Sequence, residues 1–328
     1  MSIRAVVAGL GSCLPPGTVT NHDLAERLDT SDEWIRSRTG IAARRRADPG
    51  TTTADLAVAA GKAALLAADG QGAELVILAT TTPDRRCPAT APEVAHRLGL
   101  GNAPAFDLSA VCSGFVYATA MADAVIRSGL YRGVLVIGAE TYSRIIDPED
   151  RDTAVIFGDG AGAVILEPAE DDSVGLIDFI HEVDGSGGCF LQMPGGGSLN
   201  PSTRETVDKK MHYVHQDGQQ VFKFAVRKQT EACLKLLERN GLKGSDIDAF
   251  IPHQANLRII NATAERLGLR PESVIVNIDR YGNTTAGTIP LAMNTAIEQG
   301  KLKKGSLVLM ASVGAGFTVG AALLRWAF

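Results

Sequence analysis

The sequence predicts an α/β protein whose buried sheets are layered with helices and arranged as two similar halves. Three observations carry this expectation. Short β-branched runs such as Leu75-Val-Ile-Leu-Ala-Thr80 and Gly133-Val-Leu-Val-Ile-Gly138 alternate with helical segments. These runs are apolar throughout, which marks strands covered on both faces. The same series of features also occurs twice along the chain.

Taken in order, the apolar runs place strands at residues 4–9, 74–80, 104–108, 133–138, 161–166, 249–251, 306–311 and 318–325. Longer segments between them place helices at 21–28, 53–67, 91–98, 113–128, 218–240, 255–267 and 286–299. In the first half, the run at 75–80 precedes a small-residue turn at Cys112 and its helix. The run at 133–138 follows, then Gly158-Asp-Gly-Ala-Gly162 ahead of an apolar strand. In the second half, Ala249-Phe-Ile-Pro-His253 precedes a turn at Asn283 and its helix. Gly305-Ser-Leu-Val-Leu-Met310 follows, then Gly314-Ala-Gly316 ahead of another apolar strand. The matched order implies a duplication joined near residue 170, with halves 1–170 and 171–328. Residues 184–210, rich in Gly, Ser and Pro, form a long irregular stretch of the kind that serves as a lid or channel wall.

The 328 residues, 45% hydrophobic and 21% charged, suit a globular enzyme with a large core. A formal charge of −5 argues against a nucleic-acid binder. Cys13, Cys87, Cys112, Cys189 and Cys233 are scattered without CxxC spacing, which fits a reducing cytoplasm and excludes a disulfide framework or zinc ribbon. The stretch from Met1 to Leu10 lacks the apolar core of a signal peptide, and no run is long enough to span a bilayer.

Cys112 lies in Phe106-Asp-Leu-Ser-Ala-Val-Cys-Ser-Gly-Phe115, at a strand-to-helix junction. There the first-turn N–H groups and dipole of the helix favour a thiolate. With His253 and Asn283 far downstream it forms a candidate nucleophile constellation assembled by the fold. The plainer readings are a small buried core cysteine, a satisfied core histidine and a turn-forming Gly-Asn pair. Gly158-Asp-Gly-Ala-Gly162 lacks the Lys-Ser/Thr of a phosphate loop, and a structural turn is expected instead.

Six motifs carry a resemblance that spans the chain. They are Asp29-Thr-Ser-Asp-Glu-Trp-Ile-Arg-Ser-Arg-Thr-Gly-Ile41, Cys112-Ser-Gly-Phe115, Phe157-Gly-Asp-Gly-Ala-Gly162, Pro252-His-Gln-Ala-Asn-Leu-Arg258, Gly282-Asn-Thr284 and Gly314-Ala-Gly-Phe317. In these the sequence resembles the β-ketoacyl-acyl-carrier-protein synthase III family, enzymes that prime type II fatty acid synthesis. The resemblance implies a thiolase-like, duplicated αβαβα layered fold. Thiolases carry a second cysteine in the last glycine-rich turn, whereas this chain has Ser312-Val-Gly-Ala-Gly-Phe317. Elongating synthases use a second histidine where Asn283 stands. Plant-type chalcone synthases share the Cys-His-Asn set but are longer.

The resemblance implies that Cys112 accepts an acyl group from an acyl-CoA. His253 and Asn283 would then assist decarboxylation of malonyl-acyl carrier protein and its condensation with the acyl-enzyme. Backbone N–H groups of Cys112 and Ala315 would form an oxyanion hole. No metal or redox cofactor is implied. Trp34 and Arg151 would sandwich the CoA adenine, with Arg38 and Asn256 near its phosphates and pantetheine. A Trp-Ile docking edge for the core is the plainer reading of Trp34. Lys223 and Arg227, one helical turn apart, with Arg258 and Arg266, would offer an acidic carrier protein a basic patch. Glu265 departs from the basic residue common there, and a solvated charged face is the plainer reading. Cys87, Tyr142 and Arg144 would frame the acyl channel, near Arg85 and Arg86. Small Cys87 suggests a roomy channel, and an inward arginine would suit a primer with a terminal carboxylate. Val313 replaces an aromatic seen in some relatives. A cytoplasmic homodimer is implied. The alternatives are a specialised primer of biotin-precursor or polyketide synthesis, a non-decarboxylative acyltransferase, and a non-catalytic carrier-binding partner.

Overall fold

The structure, a computed structural model, describes residues 4–68, 72–171 and 173–328; the first three residues of the amino-terminal stretch lie outside this set. The first half runs β1 (Ala5–Cys13), β2 (Gly17–Thr20), α1 (Asn21–Ala25), α2 (Asp32–Thr39), β3 (Ala43–Arg46), α3 (Thr53–Ala67), β4 (Leu75–Ala79), α4 (Ala91–Arg97), β5 (Ala105–Leu108), α5 (Gly114–Arg127), β6 (Val134–Glu140), α6 (Arg151–Ala154) and β7 (Gly160–Pro168). The second runs β8 (Gly175–Val183), β9 (Leu191–Gln192), α7 (Arg204–Asp208), β10 (His215–Gln216), α8 (Gly218–Arg239), β11 (Ala249–Pro252), α9 (Leu257–Leu267), α10 (Ile278–Tyr281), α11 (Thr288–Glu298), β12 (Leu307–Gly314) and β13 (Thr318–Arg325).

Two sheets organise these elements. One has the order β1-β7-β6-β4-β5, the other β11-β12-β13-β8. In the first, β4 pairs parallel with β5 and β6, while β7 is antiparallel to β6 and β1. In the second, β11 pairs parallel with β12, while β13 is antiparallel to β12 and β8. A single parallel bridge from Phe250 to Val274 stands on the free edge of β11, where β5 stands beside β4. Step for step, strand order and pairing sense are the same in both sheets.

Burial explains the apolar runs. Every residue of β4, β6 and β12 is buried, because helices cover both faces. Helices α3 and α4 close the outer face of the first sheet, and α8 and α9 that of the second. Between the sheets lie α5 and α11, which give the αβαβα layering. Helix α11 contributes Ile289, Ala292, Met293 and Ala296 to the central core, and α5 contributes Phe115, Ala118, Ala122 and Ile126. That spacing puts each set on one face.

Helix α3 starts where Thr52 and Asp55 satisfy each other's backbone N–H groups, a capping box that fixes its expected boundary. Strand β8 was not expected from the sequence. Asp178, His181 and Glu182 interrupt its apolar pattern, and two of them face α8, where Asp178 pairs with Arg239 and Glu182 with Lys235. The antiparallel pair β2–β3 was also not expected, because its second strand carries the charged run Arg44-Arg45-Arg46. Strand β12 runs to Gly314, beyond the expected end at residue 311.

Candidate active site

Cys112 sits in a short 3-10 turn, Val111–Ser113, which feeds α5. Val111 has φ 49°, a left-handed conformation that is costly for a β-branched residue and aims the next side chain out of the chain direction. The second half holds the turn in place. Ser312 Oγ donates to Cys112 O at 2.8 Å, and Thr318 Oγ1 donates to Ala110 O at 3.0 Å. Gly314 lies so close that a Cβ there would stand 2.9 Å from the Cys112 nitrogen. The glycine is therefore needed for close approach of β12 to the Cys112 turn.

His253 follows β11 and donates its backbone N–H to Ala311 O at 2.8 Å. Its Nδ1 lies 2.6 Å from Thr288 Oγ1, which leaves Nε2 for the cavity. Asn283 is bound on both sides to the segment before β7: its N–H donates to Ile156 O at 2.9 Å, and its carbonyl accepts from Gly158 at 3.0 Å. Asn283 Oδ1 accepts from the Thr285 N–H at 2.8 Å, so the amide nitrogen remains as a donor. The glycine-rich segment at 157–162 is thus a structural support, as expected. A Cβ on Gly158 would meet Tyr281 O at 2.5 Å, and buried Asp159 accepts from Ala47 N and Ser143 N at 2.8 Å.

Glu140, which the sequence did not single out, ends β6 behind this site. Its buried carboxylate accepts from Thr82 Oγ1 at 2.7 Å and from the Thr81 N–H at 3.0 Å. Burial pushes Glu140 up to about 7. Burial first, and the Glu140 charge second, push the Cys112 thiol up. Burial pulls His253 down to about 3. This corrects the expectation of a thiolate stabilised by the helix start: burial outweighs the first turn of α5, and the resting site pairs a neutral thiol with a neutral imidazole.

Cys112, His253 and Asn283 line one cavity of about 420 Å³, together with Trp34, Arg38 and Asn256. That size and its apolar lining suit a slender thioester arm. Arg151 Cζ lies 4.9 Å from the Trp34 ring centroid, so the two are stacked on each other, and an adenine would have to part them. Arg151 is also tied to Asp29 O at 3.0 Å. The Asn256 amide caps α9 through Arg258 N–H at 2.9 Å and donates to Arg38 O at 3.0 Å, so its first task is to join α9 to α2. Gly40 makes that junction possible; it has φ 80°, and a Cβ there would stand 2.5 Å from Leu257 Cβ.

Tyr142 is buried and stacks on Phe157, with centroids 4.5 Å apart. Cys87 is exposed and does not line this cavity within the protomer. Arg144 turns to Asp48 O at 2.6 Å and, with Arg86, borders a separate cavity of about 470 Å³. Arg85 pairs with Glu93 at 3.2 Å. Lys223 and Arg227 border an outer cavity of about 380 Å³, and Arg258 Cζ lies 5.1 Å from the ring centroid of Phe222, which lines the Cys112 cavity. Leu191, within the irregular stretch 184–210, and Gln216, just beyond it, supply part of the cavity wall.

Comparison with known proteins decides the family. Residues 106–185 match the family described as 3-oxoacyl-[acyl-carrier-protein (ACP)] synthase III, and residues 237–326 match its C-terminal counterpart. The β-ketoacyl-[acyl-carrier-protein] synthase III of Koribacter versatilis is 56% identical over 99% of this chain and 98% of its own length. The chain belongs to the β-ketoacyl-[acyl-carrier-protein] synthase III family. Its counterpart from Solibacter usitatus is 53% identical over 99% of both chains. The crystal structure of 3-oxoacyl-(acyl carrier protein) synthase III from Pseudomonas aeruginosa superposes with a TM-score of 0.92 at 43% identity, covering 99% of each chain. The priming β-ketosynthase of the R1128 polyketide pathway superposes with a TM-score of 0.91 at 35% identity, covering 100% of this chain and 98% of its own. The enzyme is therefore an acyl-condensing transferase of fatty acid synthesis, on the thiolase-like layered fold.

Proposed function

We propose that the enzyme transfers an acyl group from an acyl-CoA to Cys112 and condenses it with malonyl-acyl carrier protein, giving β-ketoacyl-carrier protein, CoA and CO₂. One observation carries this reading: Cys112, His253 and Asn283 meet in a single cavity that also reaches Trp34 and Arg38. In the first half-reaction the Cys112 sulfur bonds to the thioester carbonyl carbon, and the thiol proton ends on the departing CoA sulfur. N–H groups of Cys112 and Ala315 receive the oxyanion. In the second, the bond from the malonyl carbon to its carboxylate breaks and CO₂ leaves. The resulting enolate is held by the Asn283 amide and His253, attacks the acyl carbon and expels Cys112 as a thiolate, which takes one proton from solvent to restore the resting thiol. Thr288 Oγ1 donates to Thr285 O at 3.0 Å and so accepts from the His253 Nδ1–H at 2.6 Å, and His253 donates to the enolate through Nε2 when that nitrogen also carries a proton. This scheme uses no cofactor beyond the CoA thioester.

Trp34, Arg38 and Asn256 form the CoA end of the cavity in this reading, with Arg151 stacked on Trp34 beside it, and exposed Lys223, Arg227 and Arg258 receive the acidic carrier. The buried Tyr142 ring against Phe157 favours a short primer. A specialised priming synthase is the second reading, supported by the likeness to the R1128 priming enzyme. We also infer two duplicated units joined near residue 170, supported by the matched sheets, and a cytoplasmic homodimer. The edge position of β5, with Phe106 and Met121 exposed, supports the dimer. Among the described residues no helix is long and apolar enough to cross a membrane.

The test is full turnover with malonyl-acyl carrier protein and acetyl-, isobutyryl-, octanoyl- or glutaryl-CoA, following released CO₂ and the 3-oxoacyl product. Acetyl- or isobutyryl-dependent CO₂ release matched by product is expected. Preference for glutaryl-CoA would establish the specialised reading, and acyl transfer without CO₂ would overturn decarboxylative condensation.

A further inference from the structure

Arg44, in β3, is a buried cation, 3% exposed, whose fork is bound without a carboxylate. Its Nη1 donates to Val19 O at 3.1 Å and to Asn21 Oδ1 at 2.9 Å, and its Nη2 donates to Val155 O at 2.6 Å. Asn21, fully buried, passes the contact on: its Nδ2 donates to Asp32 Oδ1 and to Ile41 O, both at 2.8 Å. The guanidinium therefore meets the Asp32 charge through an amide placed between them. Asp32 opens α2, which carries Trp34 and Arg38; Val155 ends α6, which carries Arg151. Trp34 and Val155 line the same cavity from opposite elements. The Arg44 stem also underlies Gly158 and Gly282, where an added Cβ would stand 3.2 and 2.9 Å from Arg44 Cβ.

We infer that Arg44 is a positioning residue for coenzyme A. It fixes α2 and α6 to one rigid fork and so sets the spacing of Trp34 and Arg151. A planar guanidinium suits this task because its donors point in fixed directions, which the compact ammonium of lysine cannot copy. The inference rests on the reading of Trp34 and Arg151 as the adenine clamp. It goes beyond that reading by assigning their spacing to a buried residue that touches no substrate.

The experiment uses the full chain and coenzyme A itself. Calorimetric titration compares wild type with Arg44→Lys, Asn21→Leu, Trp34→Ala and Arg151→Ala, alongside the KM for malonyl-acyl carrier protein, which carries no adenine. Arg44→Lys is expected to weaken coenzyme A binding about three- to thirtyfold, the factor set by a lost cation–π contact. The carrier-substrate KM should stay unchanged, and the Trp34 emission should shift. Should Arg44→Lys fail to fold, Asn21→Leu, which keeps the Arg44 contact to Val155 but removes the Asn21 contacts to Arg44, Asp32 and Ile41, is expected to give the same split. Unchanged coenzyme A affinity in folded Arg44→Lys, or equal weakening of both substrates, overturns the inference. Full affinity in Trp34→Ala and Arg151→Ala would instead overturn the clamp itself.

Discussion

Two turns at the centre of the molecule have nearly the same backbone and different chemistry. Val111 at φ 49° opens the turn that leads into α5, and Thr285 at φ 47° opens the turn that leads into α11. Each turn is pressed by a strand of the other half. Gly314 of β12 lies against Cys112, and Gly138 of β6 lies so close to the second turn that a Cβ would stand 2.2 Å from Ala286 O. The first turn presents a thiol. The second presents the Asn283 amide, and Thr288 at the start of α11 holds His253. In the proposed reaction one backbone device thus serves a covalent step on one side and charge stabilisation on the other. The left-handed residues mark both places, as strain concentrates where geometry is fixed by its surroundings.

Separating the two steps gives the largest expected effects. Cys112→Ala should lower turnover by about 10⁴-fold or more, the scale of losing a nucleophile. Asn283→Ala should keep the acyl-enzyme yet slow condensation by about 10²–10³-fold, the scale of one lost oxyanion donor. Single-turnover acylation beside steady-state product formation measures the split. If Asn283→Ala loses acylation to the same degree as condensation, the division of labour between the turns is wrong.

The paired glycines sharpen the comparison at the next level. Gly314→Ala pushes on the Cys112 nitrogen and on Ala110 O, so it should cost about 100-fold in acylation rate, the scale of a misplaced reacting group. Gly138→Ala meets rigid backbone away from the thiol, so it should cost about 1–3 kcal/mol of stability, read by denaturant unfolding. Equal effects of both substitutions on rate would remove the distinction between the turns.

Glu140 tests the asymmetry through pH. Its folded value of about 7 lies above its ordinary 4.5, so the stability it contributes is present below about 4.5 and is lost as pH rises towards about 7. Glu140→Gln should therefore gain melting temperature relative to wild type across that window and hold the gain above it. Removing the charge should also move the pH–rate profile of Cys112 alkylation to lower pH, because the charge helps to hold the thiol protonated. His253 acts in the opposite sense. Its value is depressed from 6.5 to about 3, so stability falls as pH drops through that range. An alkylation profile identical in Glu140→Gln and wild type would show that the charge does not reach the thiol.

Much of this was legible in the sequence because it rests on local pattern. Apolar runs gave β4, β6 and β12, and the Thr52–Asp55 capping box sits at the expected start of α3. Cys112, His253 and Asn283 were legible as a set because each lies in a motif at a strand or turn end. What was not legible depends on partners distant in sequence. Glu140 closes an apolar run, and only the fold brings Thr82 to it. Arg44 sits in a charged strand that reads as surface, yet Asn21 and Val155 enclose it. The ionisation of Cys112 was misjudged for the same reason: the helix start is visible in the sequence, whereas the burial that outweighs it is not.

The most direct measurement is intact-protein mass spectrometry after incubation with acetyl-CoA, with peptide mapping, in wild type and Cys112→Ala. A single acetyl group on Cys112, absent from Cys112→Ala and discharged on addition of malonyl-acyl carrier protein, is the expected result. Product formation without any acyl-Cys112, or labelling that persists in Cys112→Ala, would contradict covalent transfer through this cysteine.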